Sequence, residues 1–124
     1  MTQTQGPGLD PATQTPTAMP VTTTFDFAEW KIDRYVGSCF GLIVRSMGAI
    51  KGIGAAFKSI AGGEVTQYTE LLEDSRRHAV DRMIENARIM GANAVVGMRF
   101  DSSEMGQSLT EIVAYGTAVV VSPR

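Results

Sequence analysis

Apolar and polar positions along this chain change their period several times, and each change marks an element. The clearest helical stretch is 69–90, where Leu72, Ala79, Val80, Met83, Ile84, Ala87 and Met90 recur on one broad stripe. Glu70, Glu73 and Asp74 fall toward its start and Arg88 toward its end, the polarity that the helix dipole favours. Gly91 follows where helices commonly close with a left-handed residue. A second helical spacing, Ile50, Ile53, Phe57 and Ile60, predicts a helix over 47–61 that Gly62 and Gly63 stop. Gly48, Gly52 and Gly54 each cost about 1 kcal/mol relative to Ala inside a helix, so this segment depends on packing, with Phe57 central to it.

Elsewhere the residues suit strands. Val21 to Phe25 is β-branched and aromatic, enough for a short strand after Pro20. Residues 34–40, continued past Gly41 by Leu42, Ile43 and Val44, predict the first core strand. Residues 94–100 predict another, with Val96, Met98 and Phe100 on one face and Val95, Gly97 and Arg99 on the other. The polar stretch 101–108 contains Gly106 and suits a hairpin loop, after which 109–121 returns as a long strand. In that strand Ile112, Ala114, Ala118 and Val120 face one way and Val113, Tyr115, Val119 and Val121 the other, so both faces are apolar. The expected fold is therefore α/β in the α+β sense, a small sheet with helices on one face. Helices on one side leave the other side of the sheet bare, and covering it with further copies of the chain is the expected solution.

Composition narrows the function classes. Of 124 residues, 44% are hydrophobic and 19% charged, an ordinary globular mixture for one domain. Residues 1–18 are mostly Thr, Gln, Pro and Gly and cannot offset their ordering entropy, so they predict a disordered tail before a domain over 19–124. Eleven Lys+Arg against 13 Asp+Glu give a net charge of -2, which offers no field toward nucleic acid or an anionic membrane. Neither a spanning segment nor a secretory signal is visible, and the single cysteine fits a reducing compartment, so a cytoplasmic location is expected.

With these elements in place, the chain resembles the YbjQ-like, or UPF0145, family of uncharacterised small proteins. The resemblance is carried by Val21-Thr22-Thr23-Thr24, Tyr35-Val36-Gly37, Gly62-Gly63, Tyr68 through Arg76, Gly91-Ala92-Asn93-Ala94-Val95-Val96-Gly97, Phe100-Asp101 and Gly116-Thr117-Ala118-Val119. It spans roughly 19–121, with the run from Gly91 to Gly97 its most specific part. The resemblance implies a dodecin-like β-α-β-β subunit assembled as a homopentameric ring, in which extra short strands help subunits join. It implies structural roles for Gly62, Gly63, Tyr68, Gly91, Asn93, Gly97, Asp101 and Gly116. The family also carries a heavy-metal-binding label, but this chain departs from the family pattern at Glu64 and Ser102 and offers no evident ligand set.

The chemistry-bearing residues are few. Cys39 and His78 are the one thiol and the one imidazole, and their structural readings are a small buried hydrophobe and a member of a solvated face beside Arg76 and Arg77. A ring of Cys39 thiols around an oligomer axis is the one metal site the sequence suggests. The seven methionines suit core filling better than copper(I), with Met83, Met90 and Met98 on core stripes. Gly52-Ile53-Gly54 falls inside the predicted helix and not at a strand-to-helix turn, which disfavours a dinucleotide site, and no cofactor is expected. Gly91 and Asn93 are assigned to left-handed backbone, and Glu73 with Arg76 or Arg77, and Glu85 with Arg88, to exposed helix pairs. No catalytic residue emerges. The expected function is a non-enzymatic homo-oligomer binding a small ligand or protein partner, with soft-metal binding through Cys39 as the alternative.

Overall fold

The structure, a computed structural model, describes residues 18–46, 65–106 and 109–124. All of the expected tail over 1–18 except Ala18, the glycine-rich helix over 47–61 with Phe57, and Gly62, Gly63 and Glu64 lie outside the described residues. Within them the order is β1 (Trp30–Ser46), α1 (Val65–Ile89), β2 (Ala94–Met105) and β3 (Leu109–Pro123). The sheet is antiparallel in the order β1-β3-β2, so the two-faced C-terminal strand is central.

β1 is longer than its apolar pattern suggested, because the length of β3 supplies it with partners from Trp30↔Pro123 to Ser46↔Leu109. The hairpin also differs from expectation. Polar residues 101–105 are strand and not loop, paired from Asp101↔Val113 to Met105↔Leu109. Their polarity matches an exposed edge, while Gly106 takes the left-handed conformation (φ 72°) at the turn.

α1 lies on one face of the sheet. Ala79, Met83 and Ala87 pack against Cys39, Val95, Ile112, Ala114 and Ala118 to form the main core. Small residues let the helix come close, most of all at Gly41, where a Cβ would meet the helix backbone at Ala79 and Met83. The helix begins four residues before the predicted start, so Glu70, Glu73 and Asp74 lie beyond its first turn, which holds no acid. Leu72, expected on the apolar stripe, is 38% exposed. It lies in the N-terminal half of α1, where the helix meets β1 through the polar contacts of Arg45 to Asp74 and His78. The other end follows the sequence reading. Gly91 is left-handed (φ 92°), its N–H donates to Arg88 O and that of Ala92 to Ala87 O, the paired bonds of a Schellman stop.

β2 corrects a face assignment. Gly97 (φ 64°) sits in a register shift between Val96 and Arg99, where β2 carries one more residue than β3. The extra residue inverts the alternation, so Val95 joins Met98 and Phe100 against the α1 core while Val96 turns to the opposite face. Gly116 answers this bulge from β3, since a Cβ there would press on Val95, the Val96 carbonyl and Met98.

The segment before β1 is more than the short strand expected. Only Val21 forms a β-bridge, parallel to Val95. Four backbone bonds hold the segment to the β2 edge: Thr22 N–H to Val95 O, Val95 N–H to Pro20 O, Gly97 N–H to Thr24 O and Met98 N–H to Thr22 O. These contacts lie within one chain. The chain then turns under the sheet, and Trp30, with Phe27 and Ile32 beside it, buries Val96, Val119 and Val121 on the face opposite α1. The expectation of a wholly bare second face is corrected to this extent, and the cover comes from aromatic residues just past the tail.

Candidate functional site

The second face is covered only at one end. Strand alternation and register place Phe40, Leu42 and Val44 of β1 beside Tyr115, Val113 and Glu111 of β3 on the side away from α1. Phe40 is 57% and Tyr115 43% exposed, and Val44, Leu109 and Met105 extend the open apolar surface toward the hairpin. On the same side β2 contributes Arg99 opposite Tyr115 and Asp101 opposite Val113. Two apolar strands, β1 and β3, with β2 as their charged border form an exposed patch larger than scattered surface residues make.

The sequence's metal candidates are not brought together. Cys39 lies on the α1 side of β1, 2% exposed, with its thiol 3.7 Å from Gly116 O. Burial pushes this thiol up from its ordinary value, partly offset by the Gly116 contact, so the nucleophilic, metal-binding thiolate is disfavoured. His78 is exposed on α1, and its Nδ1 lies 2.8 Å from Arg45 Nη2. A guanidinium can only donate, so Nδ1 accepts and Nε2 carries the ring hydrogen. Arg45 also reaches Asp74 Oδ2 at 3.4 Å. Among the described residues no three His, Cys, Asp or Glu side chains form a metal-binding group. Met83 is buried in the core and Met98 packs on it, whereas Met90, expected on the core stripe, is 38% exposed beyond the last helical residue.

The family-motif positions that are described have separate structural explanations. Asn93 acts through its side chain: Oδ1 accepts from Val121 N–H at 2.8 Å and Nδ2 donates to Val121 O at 3.1 Å. Its amide thereby substitutes for a strand residue and continues the β2–β3 ladder by one step, with Asn93 N–H donating to Val119 O. Composition alone suggested only turn chemistry; the cue was an Asn immediately before a strand that pairs with a long partner. Asp101 Oδ1 accepts from the N–H of Ser102 at 2.9 Å, and Tyr68 is partly buried on α1. Glu85 pairs with Arg88 at 3.3 Å as the helix spacing predicts. No helix among the described residues is long and apolar enough to cross a membrane.

Comparison with known proteins agrees with this architecture. Residues 19–122 match a family profile described as "Putative heavy-metal-binding". A UPF0145 protein of Bradyrhizobium sp. is 52% identical over 106 residues, covering 86% of this chain and 96% of the relative. One from Methanoregula boonei is 56% identical over 93 residues, covering 75% of this chain and 78% of the relative. A crystal structure from Pediococcus pentosaceus, of a DUF74-family protein of unknown function, superposes with a TM-score of 0.55 at 12% identity, covering 84% of this chain and 98% of that one. At that identity the likeness concerns the fold alone.

Proposed function

Since this chain belongs to the YbjQ-like UPF0145 family, we propose that it is a non-enzymatic, cytoplasmic homo-oligomeric module of dodecin-like type, pentameric by family resemblance, that binds a small ligand or protein partner. The observation that carries this reading is the open patch around Phe40 and Tyr115, left exposed where Trp30 and Phe27 stop covering the sheet. Burying a side chain of this size contributes about 1.5–3 kcal/mol, so several in one interface offset a substantial part of an association cost of about 4–15 kcal/mol. Among the described residues no further strand pairs with the outer edge of β1, which gives a neighbouring subunit an edge to extend.

Native mass spectrometry and sedimentation velocity on dilute protein test this. The expected result is a single ring-sized species that Phe40→Glu with Tyr115→Glu converts to folded monomer, judged by unchanged far-UV circular dichroism. A parent protein that sediments as a stable monomer refutes the assembly. The soft-metal alternative, with Cys39 ringing an axis, requires the thiol to leave the core beneath α1, and no contact of Cys39 favours that.

A further inference from the structure

α1 sits mainly across β1 and β3, and a groove of about 300 Å³ opens between it and β2, lined by Arg76, Arg77, Val80, Asp81 and Phe100. Two rows of α1, Arg76 with Val80 and Arg77 with Asp81, each one turn apart, form one wall. Phe100 reaches the groove because the Gly97 bulge turns it to the α1 side. The Arg76 guanidinium lies over the Phe100 ring, 4.8 Å from its centroid. None of the ion pairs among the described residues involves Arg76 or Arg77, so neither has a carboxylate of those residues within 4.0 Å. Two arginines against one aspartate leave the lining with one net positive charge.

We propose that this groove binds a small monoanionic aromatic carboxylate, with its ring against Phe100 and Val80 and its carboxylate on Arg76 and Arg77. This rests on the ligand-binding half of the reading above and not on the assembly. A planar guanidinium matches a carboxylate in two parallel hydrogen bonds. Asp81 opposes a dianion such as phosphate, and the aromatic and aliphatic floor selects a flat apolar body over a sugar.

Isothermal titration of the full-length protein with 2-naphthoate tests the proposal. Saturable binding is expected, weakened about tenfold or more in Arg77→Gln, as for the loss of a charge-assisted hydrogen bond. Phe100→Leu is expected to weaken it severalfold, and Arg77→Lys to keep charge yet lose part of the affinity because the fork is gone. Equal affinity for 2-naphthalenemethanol overturns the carboxylate role, equal affinity for inorganic phosphate overturns the aromatic one, and no binding overturns both. Arg77 is exposed, so circular dichroism of the glutamine variant is expected to match the parent. Native mass spectrometry on the same samples separates the two proposals: naphthoate binding by a monomer keeps the groove and removes the ring, and a ring that ignores naphthoate does the reverse.

Discussion

Replacing Gly41 with Ala adds a single methyl group to β1 and is expected to be among the most damaging small changes this protein can carry. The added Cβ meets the Ala79 carbonyl oxygen, the Met83 nitrogen and the Arg82 carbonyl carbon, all of them helix backbone. No side-chain rotation relieves such a contact, so α1 must lift from the sheet and loosen Met83 and Ala87 against Cys39 and Ile112. Overpacking a core commonly costs about 1–3 kcal/mol, and a backbone obstacle places this change near the upper end, about 3 kcal/mol. With a urea dependence of about 1–3 kcal/mol per molar, the midpoint falls by about 1–3 M. Urea titration at fixed protomer concentration, followed by far-UV circular dichroism and by Trp30 fluorescence, reads the effect on both sides of the sheet. Trp30 is the sole tryptophan and lies in the cluster opposite α1, so coincident transitions indicate that helix and sheet unfold together. Gly106→Ala is the control, since its Cβ meets nothing within 4 Å and only the left-handed turn is strained. A Gly41→Ala midpoint no lower than that of Gly106→Ala refutes the close seating of α1 on β1.

Further expectations rest on single contacts. Asn93→Ala removes both bonds to Val121 and is expected to cost about 2 kcal/mol in urea unfolding, whereas a cost below that of an ordinary surface substitution shows that the amide is not part of the ladder. Burial raises the Cys39 thiol above its ordinary 9.0, so folding favours the protonated form. Its contribution is therefore complete below the unfolded-state value and lost as pH rises through the folded one, a decline that Cys39→Ala should lack in stability measurements above pH 9.0. Copper(I) and zinc uptake per subunit, measured by metal analysis, is expected to be the same in Cys39→Ser as in the parent; abolished uptake restores the thiol-ring alternative. Gly91→Ala is expected to lower the midpoint by the equivalent of about 1 kcal/mol, and no change at all argues against the left-handed stop.

The parts legible in the chain are those whose cause is local. The 3.6-residue stripe from Ala79 to Ala87 and the Gly91 stop identified α1 because periodicity and capping are read from neighbouring residues. The central strand was legible through its two apolar faces, and Cys39 as a core residue through its apolar setting. Where a distant partner decided the outcome, local pattern misled. Residues 101–105 look like a loop, yet β3 is long enough to pair with all of them. Val95 was placed on the wrong face because one extra residue at Gly97 inverts the alternation, and alternation holds only while the register is unbroken.

The sequence by itself therefore determined that β1, α1, β2 and β3 follow in that order, the family, and a C-terminal strand apolar on both sides, since each is written in residue types and spacings along a line. Only the tertiary structure decided which apolar side chains stay open to water. Trp30 shields Val119 and Val121 while Phe40 and Tyr115 remain bare, and Phe100 comes to lie beneath Arg76. Those outcomes depend on where the chain crosses its own sheet, a relation between residues far apart in sequence that no local period encodes.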